Sequence, residues 1–416
     1  MAKANPTILL IGTADTKMDE LRFIQHCIDG LYGKHILMDV GVLEGATGVD
    51  ISNNQVAAAA GVDIPSIIAY HDENAAMSAM ALGASRLAAE LYAQGSIDGL
   101  LVLGGTMGTD LALDVASALP LGIPKVVLST VSYSPLIPTD RIPPDLTMIL
   151  WAGGLYGLNS LCKATLSQAA GAVVGAAQAA LIPTFDKPII GMTSLGKTCL
   201  KYMVKLKPAL EQRGFEVAVF HTTGMGGRAF EGLAAQGVFS AVMDFSLQEL
   251  SNLLGGSAVH AGETRLLGAG LSGTPQIVAP GAIDMIDMPT WAPVPDALKE
   301  VDIRTHNRLI SCAASPEPMR RLVAREIVAR MSQSTAPSCF ILPKQGVQAW
   351  DKAGEELCDE SGKAAFNDEL IASAAGKIDV IELDAHINDD AFVDAVLAVF
   401  DDWLARGLIK VKGAAA

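Results

Sequence analysis

Thr7-Ile8-Leu9-Leu10-Ile11-Gly12-Thr13-Ala14-Asp15-Thr16-Lys17 decides the architecture. Its first half is a short aliphatic run, preceded by Pro6 and stopped by Gly12, which reads as a strand buried on both faces. Its second half opens a helix: Leu21, Ile24 and Ile28 return at spacings of three and four and so share one helical face. A second aliphatic run, His35–Val40, follows. Strand, helix and strand in this order make a crossover between parallel strands, and a parallel sheet needs helices on both faces.

The pattern continues outward. Gly99–Leu103 and Lys125–Leu128 are further strands, each followed by Gly, Ser or Thr. It then restarts. Lys187–Met192, Glu216–Phe220, Ser240–Met243 and Gln276–Val278 read as strands between helical stretches, Ser338–Leu342 and Ile378–Leu383 add two more, and a helix around Ala391–Leu404 closes the chain. The halves share an order of parts. A polar loop follows the third strand of each (Gly104-Gly105-Thr106 and Asp244-Phe245-Ser246), and Gly-x-Pro opens the fourth (Gly122-Ile123-Pro124 and Gly273-Thr274-Pro275). The expectation is an α/β chain of two Rossmann-like, doubly wound domains with mainly parallel sheets, residues 1–184 and 185–416, and a cleft between them. The small-residue stretch Leu166–Ile182 reads as a helix packed closely on a sheet, or as a contact between subunits.

Composition narrows the function classes. A length of 416 residues suits two domains. Thirty Lys and Arg against 45 Asp and Glu leave a net charge of −15, which repels nucleic-acid phosphates. No stretch of about 18 apolar residues predicts a membrane span. The start, Met1-Ala2-Lys3-Ala4-Asn5-Pro6, lacks the apolar core of a signal peptide, so a cytoplasmic protein without a membrane partner is expected. Six scattered cysteines form no C-x-x-C and read as reduced, and no cysteine–histidine spacing suggests a metal site.

Ligands of parallel sheets sit beyond the carboxyl ends of the strands, so the loops there are the candidates. Gly12-Thr13-Ala14-Asp15-Thr16-Lys17 ends a strand and opens a helix, where free N–H groups and the helix dipole favour an anion. Asp15 suits a helix cap, a magnesium ion or a ribose. Gly104-Gly105-Thr106-Met107-Gly108-Thr109 has more glycine than a turn requires and reads as a backbone nest for phosphate. Asp39 ends the second strand, where a ribose-binding acid would stand, yet it follows Gly12 by 27 residues and the first loop lacks G-x-G-x-x-G; both argue against NAD.

In the second half, Gly191-Met192-Thr193-Ser194-Leu195-Gly196-Lys197-Thr198 fits G-x-x-x-x-G-K-[ST] between a strand and a helical stretch, with Asp244 as a candidate magnesium-holding acid. His221-Thr222-Thr223-Gly224-Met225-Gly226-Gly227-Arg228 is the richest polar cluster. Gly224, Gly226 and Gly227 suit a second anion-binding turn, Arg228 a carboxylate or phosphate clamp, and His221 acid–base work; the alternative is a structural loop with Arg228 paired to Glu231 or Glu249. Glu263, Arg265 and Asp284 would face the same space.

The first loop, continued by Asp19-Glu20-Leu21, resembles the distinctive motif of the Tm-one-like ATP-binding domain family. The similarity runs through Asp39-Val40-Gly41, Gly104–Thr109, Gly171–Gly175, Gly224–Glu231, Gly281-Ala282, His306-Asn307 and Gly346-Val347, nearly the whole chain. It implies two Rossmann-like subdomains, ATP held by the first, and dimers. The family usually carries a small apolar residue where this chain has Lys197, which makes the P-loop match incidental. After His306-Asn307 the chain also departs from the family's usual arginine-containing run. The combined expectation is an ATP-dependent enzyme, a transferase or ligase, acting on a small anionic metabolite. ATP and Mg2+ would lie on Gly12, Thr13, Ala14, Asp15, Thr16, Lys17, Asp39, Gly104, Gly105, Thr106, Gly108 and Thr109. The second substrate would lie on Thr193, Ser194, Gly224, Gly226 and Gly227, with His221 and Arg228 as catalytic groups. A nucleotide-regulated protein-binding module and a P-loop ATPase at 191–198 are the alternatives.

Overall fold

The computed structural model describes residues 3–43, 45–184, 186–196, 199–355 and 357–410. Contacts divide the chain into two compact units, residues 1–184 and 185–416.

Unit 1 is built on β1 (Thr7–Gly12), whose Ile8, Leu9, Leu10 and Ile11 are fully buried. It lies between β2 (Lys34–Asp39) and β3 (Gly99–Gly104), and β4 (Lys125–Ser129) and β5 (Leu146–Leu150) complete a parallel sheet of order β2-β1-β3-β4-β5. The connections carry α1 (Ala14–Gly30), then α2 (Asn53–Ala60), α3 (Ile64–Ile68) and α4 (Glu73–Ala93), then α5 (Thr106–Ala118), with α6 (Ser160–Ala179) after β5. Leu21, Ile24 and Ile28 of α1 pack with Val173 and Val174 of α6 on one face; Val56, Met80, Leu111 and Val115 of α2, α4 and α5 cover the other. Each such side chain contributes about 1.5–3 kcal/mol by leaving water. The small residues of α6 let it approach the sheet: a Cβ on Gly99 would stand 3.2 Å from Val173 and 3.6 Å from Ala177. β5, half-buried at the sheet edge, has no counterpart among the expected strands.

The helix starts in unit 1 differ in one respect. α2, α3, α4 and α6 are capped by the side chains of Ser52, Asp63, Asp72 and Asn159. Neither Thr13 at the start of α1 nor Gly105 at the start of α5 supplies a side-chain cap; at α1 the first N–H, that of Ala14, is instead taken by Asp39, whereas the first N–H groups of α5 keep their capacity for another partner.

Unit 2 repeats the plan. β6 (Ile189–Ser194), β7 (Glu216–His221), β8 (Ala241–Asp244) and β9 (Gln276–Val278) are joined by β13 (Ser338–Pro343) and β14 (Asp379–Leu383) in a parallel sheet of order β14-β13-β9-β8-β6-β7. Its first four strands stand in the same relative order as those of unit 1. Between β9 and β13 the chain forms a small antiparallel sheet, β10 (Met285–Pro289), β11 (Ile303–Thr305) and β12 (Ile310–Ala314), which the sequence reading did not contain. One face of the main sheet is covered by α7 (Lys201–Gln212) and α13 (Asp390–Ala405), through Tyr202, Leu206, Phe392 and Phe400. Val323, Ile327, Phe366 and Leu370 of α11 (Glu317–Met331) and α12 (Glu360–Ala374) pack on the other. α8 (Met225–Ala235), α9 (Gln248–Leu254) and α10 (Gly268–Leu271) surround the end of β8 described below. No described helix is long and apolar enough to cross a membrane.

Candidate functional site

The chain leaves β1 toward one edge of the unit 1 sheet and leaves β3 toward the other, so the loops at their carboxyl ends diverge. In sheets of this order the resulting crevice is where ligands bind. A cavity of about 1070 Å³ opens there. Thr13, Asp15, Thr16 and Lys17 line it from the β1–α1 turn, and Gly104, Gly105, Thr106, Met107 and Gly108 from the β3–α5 turn. The two turns therefore bound one space.

At the second turn, α5 starts directly against the strand. A Cβ on Gly104 would lie 2.5 Å from the Cα of Gly108, so only glycine permits this approach. The first intrahelical bond there runs from Thr109 N–H to Gly105 O (2.8 Å), leaving the N–H groups of Thr106, Met107 and Gly108 without helical partners. At the first turn, the hydroxyls of Thr13 and Thr16 are 2.9 Å apart and the Lys17 ammonium donates to Thr16 Oγ1 at 3.2 Å. Lys17 has a non-helical backbone (φ −134°, ψ 26°). Asp15 accepts from Leu43 N–H through Oδ2 (3.1 Å), while its Oδ1 is buried without a protein partner. That orphaned oxygen, on a cavity-lining carboxylate, suits a hard cation bound with a polyanion.

Four residues expected at this site serve the fold instead. Gly12 makes room for Leu21, which would lie 2.9 Å from its Cβ. Ala14 N–H is taken by Asp39 Oδ1 (2.9 Å), which also accepts from Gly41 N–H (2.8 Å). Asp39 is fully buried beneath the turn, outside the cavity lining, and desolvation pushes its carboxyl above the usual range; through Oδ1 it holds the β1–α1 turn to the end of β2. The Thr109 hydroxyl turns inward, donating to Gly105 O (2.7 Å) and meeting Ser129 Oγ at 2.6 Å. Conversely, much of the cavity was not expected. Val40, Val42 and Leu43 after β2, Ile67 and Ile68 of α3, His71, Asp72, Glu73, Ala76 and Met77 around the start of α4, and Ala152–Tyr156 after β5 form its other walls. No local motif marks these residues; the strand order alone brings them in.

In unit 2 the glycine turn after β7 is occupied by a side chain of the protein itself. Gly224 and Gly227 N–H groups at the start of α8 do bind an anion, but it is the carboxylate of Glu249, at 2.6 and 3.1 Å through Oε1. A Cβ on Gly227 would fall 1.6 Å from Glu249 Oε2, and one on Gly226 1.8 Å from His221 O, so both glycines answer to internal packing. Arg265 pairs with the acids: its guanidinium meets Glu249 (3.0 Å), Glu231 (3.0 Å) and both carboxylate oxygens of Asp244. All four side chains are buried. With three carboxylates on one cation, desolvation pushes Glu249 up to about 7 and raises Glu231, while the acids hold Arg265 firmly protonated.

Thr193 is equally committed, donating to Asp244 (2.7 Å) and accepting from Phe245 and Ser246 N–H (2.9 and 3.0 Å); Ser194 donates to Cys199 O (2.8 Å). His221, exposed at the end of β7, an edge strand, accepts from Gly196 N–H at 3.3 Å. Arg228 lies in the first turn of α8, 3.6 Å from where a Cβ of Gly262 would be. Gly191–Ser194 are paired within β6, so the first half of the P-loop match is strand rather than a phosphate-wrapping loop; Lys197 and Thr198 lie outside the described residues. Asp284 is buried and accepts from Gln348 (3.0 Å). Gly281-Ala282 and Gly346-Val347 meet through Ala282 N–H to Val347 O (3.0 Å), and Asn307 caps the β11–β12 turn.

Residues 6–181 match the N-terminal domain, and residues 187–404 the C-terminal domain, of the family described as "Uncharacterised protein family (UPF0261)". The chain is 51% identical over 411 residues to a UPF0261 protein of Brucella melitensis, covering 98% of both chains. It is 33% identical over 396 residues to a UPF0261 protein of Clostridium tetani, covering 94% of this chain and 97% of that one. It is 29% identical over 428 residues to the ToMV resistance protein Tm-1(GCR237) of Solanum lycopersicum, covering 95% of this chain and 55% of the tomato protein. These matches name the same family as the resemblance drawn from the sequence.

Proposed function

The chain belongs to the UPF0261 family through both of its units, and we propose that the unit 1 cavity binds ATP with magnesium. The observation that carries this reading is that the open start of α5 and the β1–α1 turn with its Thr13, Thr16 and Lys17 side chains face the same cavity at the β1–β3 crevice. Backbone N–H groups at a helix start favour phosphate through both hydrogen bonds and the helix dipole. Thr106, Met107 and Gly108 would hold the phosphates, with the Thr13 and Thr16 hydroxyls and Lys17 on their other side. Asp15 would hold the magnesium ion. The apolar wall of Ile67, Ile68 and Met77 is where the base would lie. When bound, the metal neutralises phosphate charge. Turnover of a second substrate, a dimer and a cytoplasmic setting belong to the same reading, and phosphate release, light scattering and cell fractionation check them.

Calorimetry on the purified chain tests the binding. Mg-ATP is expected to give a saturable heat that Lys17→Ala weakens about tenfold, the size of one charge-assisted contact. A folded chain that shows no heat overturns the reading.

A further inference from the structure

A second cavity, of about 350 Å³, adjoins the first; small-molecule pockets usually span about 300–1,000 Å³. Glu73, Met77, Thr106 and Met107 form a wall common to both. From there the second cavity runs along α5 to Leu113 and faces Val131, Leu136, Ile137 and Pro138 in the segment after β4. That far wall is fastened. Val131 N–H donates to Ser129 Oγ (3.0 Å) and the Tyr133 hydroxyl to Met148 O (2.6 Å). Arg141 clamps the segment to α5, donating to the Asp110 carboxylate, to Asp110 O (3.0 Å) and to Asp114 (2.7 Å). Walls held by their own bonds keep a cavity preformed.

Its charge is one-sided. The lining carries Glu73 and Asp110 and no lysine, arginine or histidine. Arg141 answers Asp110, whereas Glu73 has no ion-pair partner among the described residues. An anion entering here meets a carboxylate that no basic side chain of the lining offsets. A cation with a hydrocarbon body finds both an acid and apolar walls.

We propose that this cavity is a separate ligand subsite that takes a small apolar molecule carrying a protonated amine. The amine faces Glu73 and Asn74, and the hydrocarbon lies against Met77, Leu113, Val131 and Ile137. The subsite shares Glu73 and Met77 with the first cavity and is set apart by Asn74, Leu113, Val131, Leu136, Ile137 and Pro138. The nucleotide reading adds only that the amine ligand lies beside the start of α5, next to the phosphates.

The test uses the full chain without nucleotide. n-Hexylamine, n-hexanol and n-hexanoate are titrated separately, followed by calorimetry and ligand-observed NMR. Hexylamine is expected to bind at least about tenfold tighter than hexanoate. Glu73→Gln is expected to remove that preference while leaving hexanol unchanged. Val131→Trp, which fills the cavity, is expected to abolish amine binding while Mg-ATP binding stays as in the parent chain, since Val131 does not line the first cavity. No amine binding, equal binding of the three probes, or amine binding untouched by both variants overturns the proposal. Amine binding without any response to Mg-ATP would overturn the nucleotide reading and leave this one standing; the reverse result does the opposite.

Discussion

Asp15 stands where it does because residue 41 has no side chain. A Cβ on Gly41 would lie 2.4 Å from Asp15 Oδ2. Gly41→Ala is therefore expected to displace the carboxylate and lower the affinity for Mg-ATP about tenfold, while affinity for ATP without magnesium changes little. Paired calorimetry with and without the metal separates these effects. Glu249 gives a pH prediction of definite sign. Its folded value is about 7 against 4.5 ordinarily, so the native state holds the proton more tightly than the unfolded chain. The resulting stabilisation is complete below about pH 4.5 and is lost as pH rises through 7. Its full size is on the order of 3 kcal/mol. Thermal midpoints are expected to fall from pH 5.5 to pH 8, and Glu249→Gln is expected to flatten that slope. A slope unchanged in the variant would assign the effect to other groups, such as Asp284 and Asp287, which burial also pushes up to about 6.

At the scale of elements, the close approach of β3 and α5 is the most exposed to substitution. Gly104→Ala places a methyl against the backbone of Gly108, so the helix must move. Overpacking of this kind costs about 1–3 kcal/mol. The urea midpoint is expected to drop with an unchanged m-value, and nucleotide affinity to fall with it. In unit 2, Arg265→Met strips the guanidinium from three buried carboxylates, a change expected to cost about 3–5 kcal/mol. The two turns of the candidate site were legible in the sequence because glycine and threonine collect where a strand ends and a helix begins. The role of Asp39 was not: an acid at a strand end looks the same whether it faces a ligand or caps the backbone beneath it. Arg265 was placed near the polar cluster, but its pairing was unreadable for another reason. Its partners at 231, 244 and 249 belong to three different elements, and only the folded sheet brings them to one point.

At the scale of the molecule, buried aliphatic runs with helical spacing between them were enough to read two mainly parallel sheets and the shared order of parts along the chain, while the order of strands within each sheet came from the structure. β5, half-exposed and directly after a stretch with Pro135, Pro138, Pro143 and Pro144 that reads as a loop, went unread. The short antiparallel strands β10–β12 lie inside a stretch whose prolines and polar residues resemble a long loop. Limited chymotrypsin treatment is expected to cut first near Leu181, which is exposed after the end of α6, and to leave two resistant fragments. Early cutting inside either sheet would contradict the two-unit division.

Glu249 has one more consequence. Unit 2 carries a socket for a small carboxylate and supplies the plug from its own chain. Shortening that plug by Glu249→Ala leaves the amides of Gly224 and Gly227 and the guanidinium of Arg265 facing a vacancy the size of an acetate ion. Free acetate should then restore heat resistance to the shortened protein, in a saturable way that chloride at equal ionic strength does not reproduce.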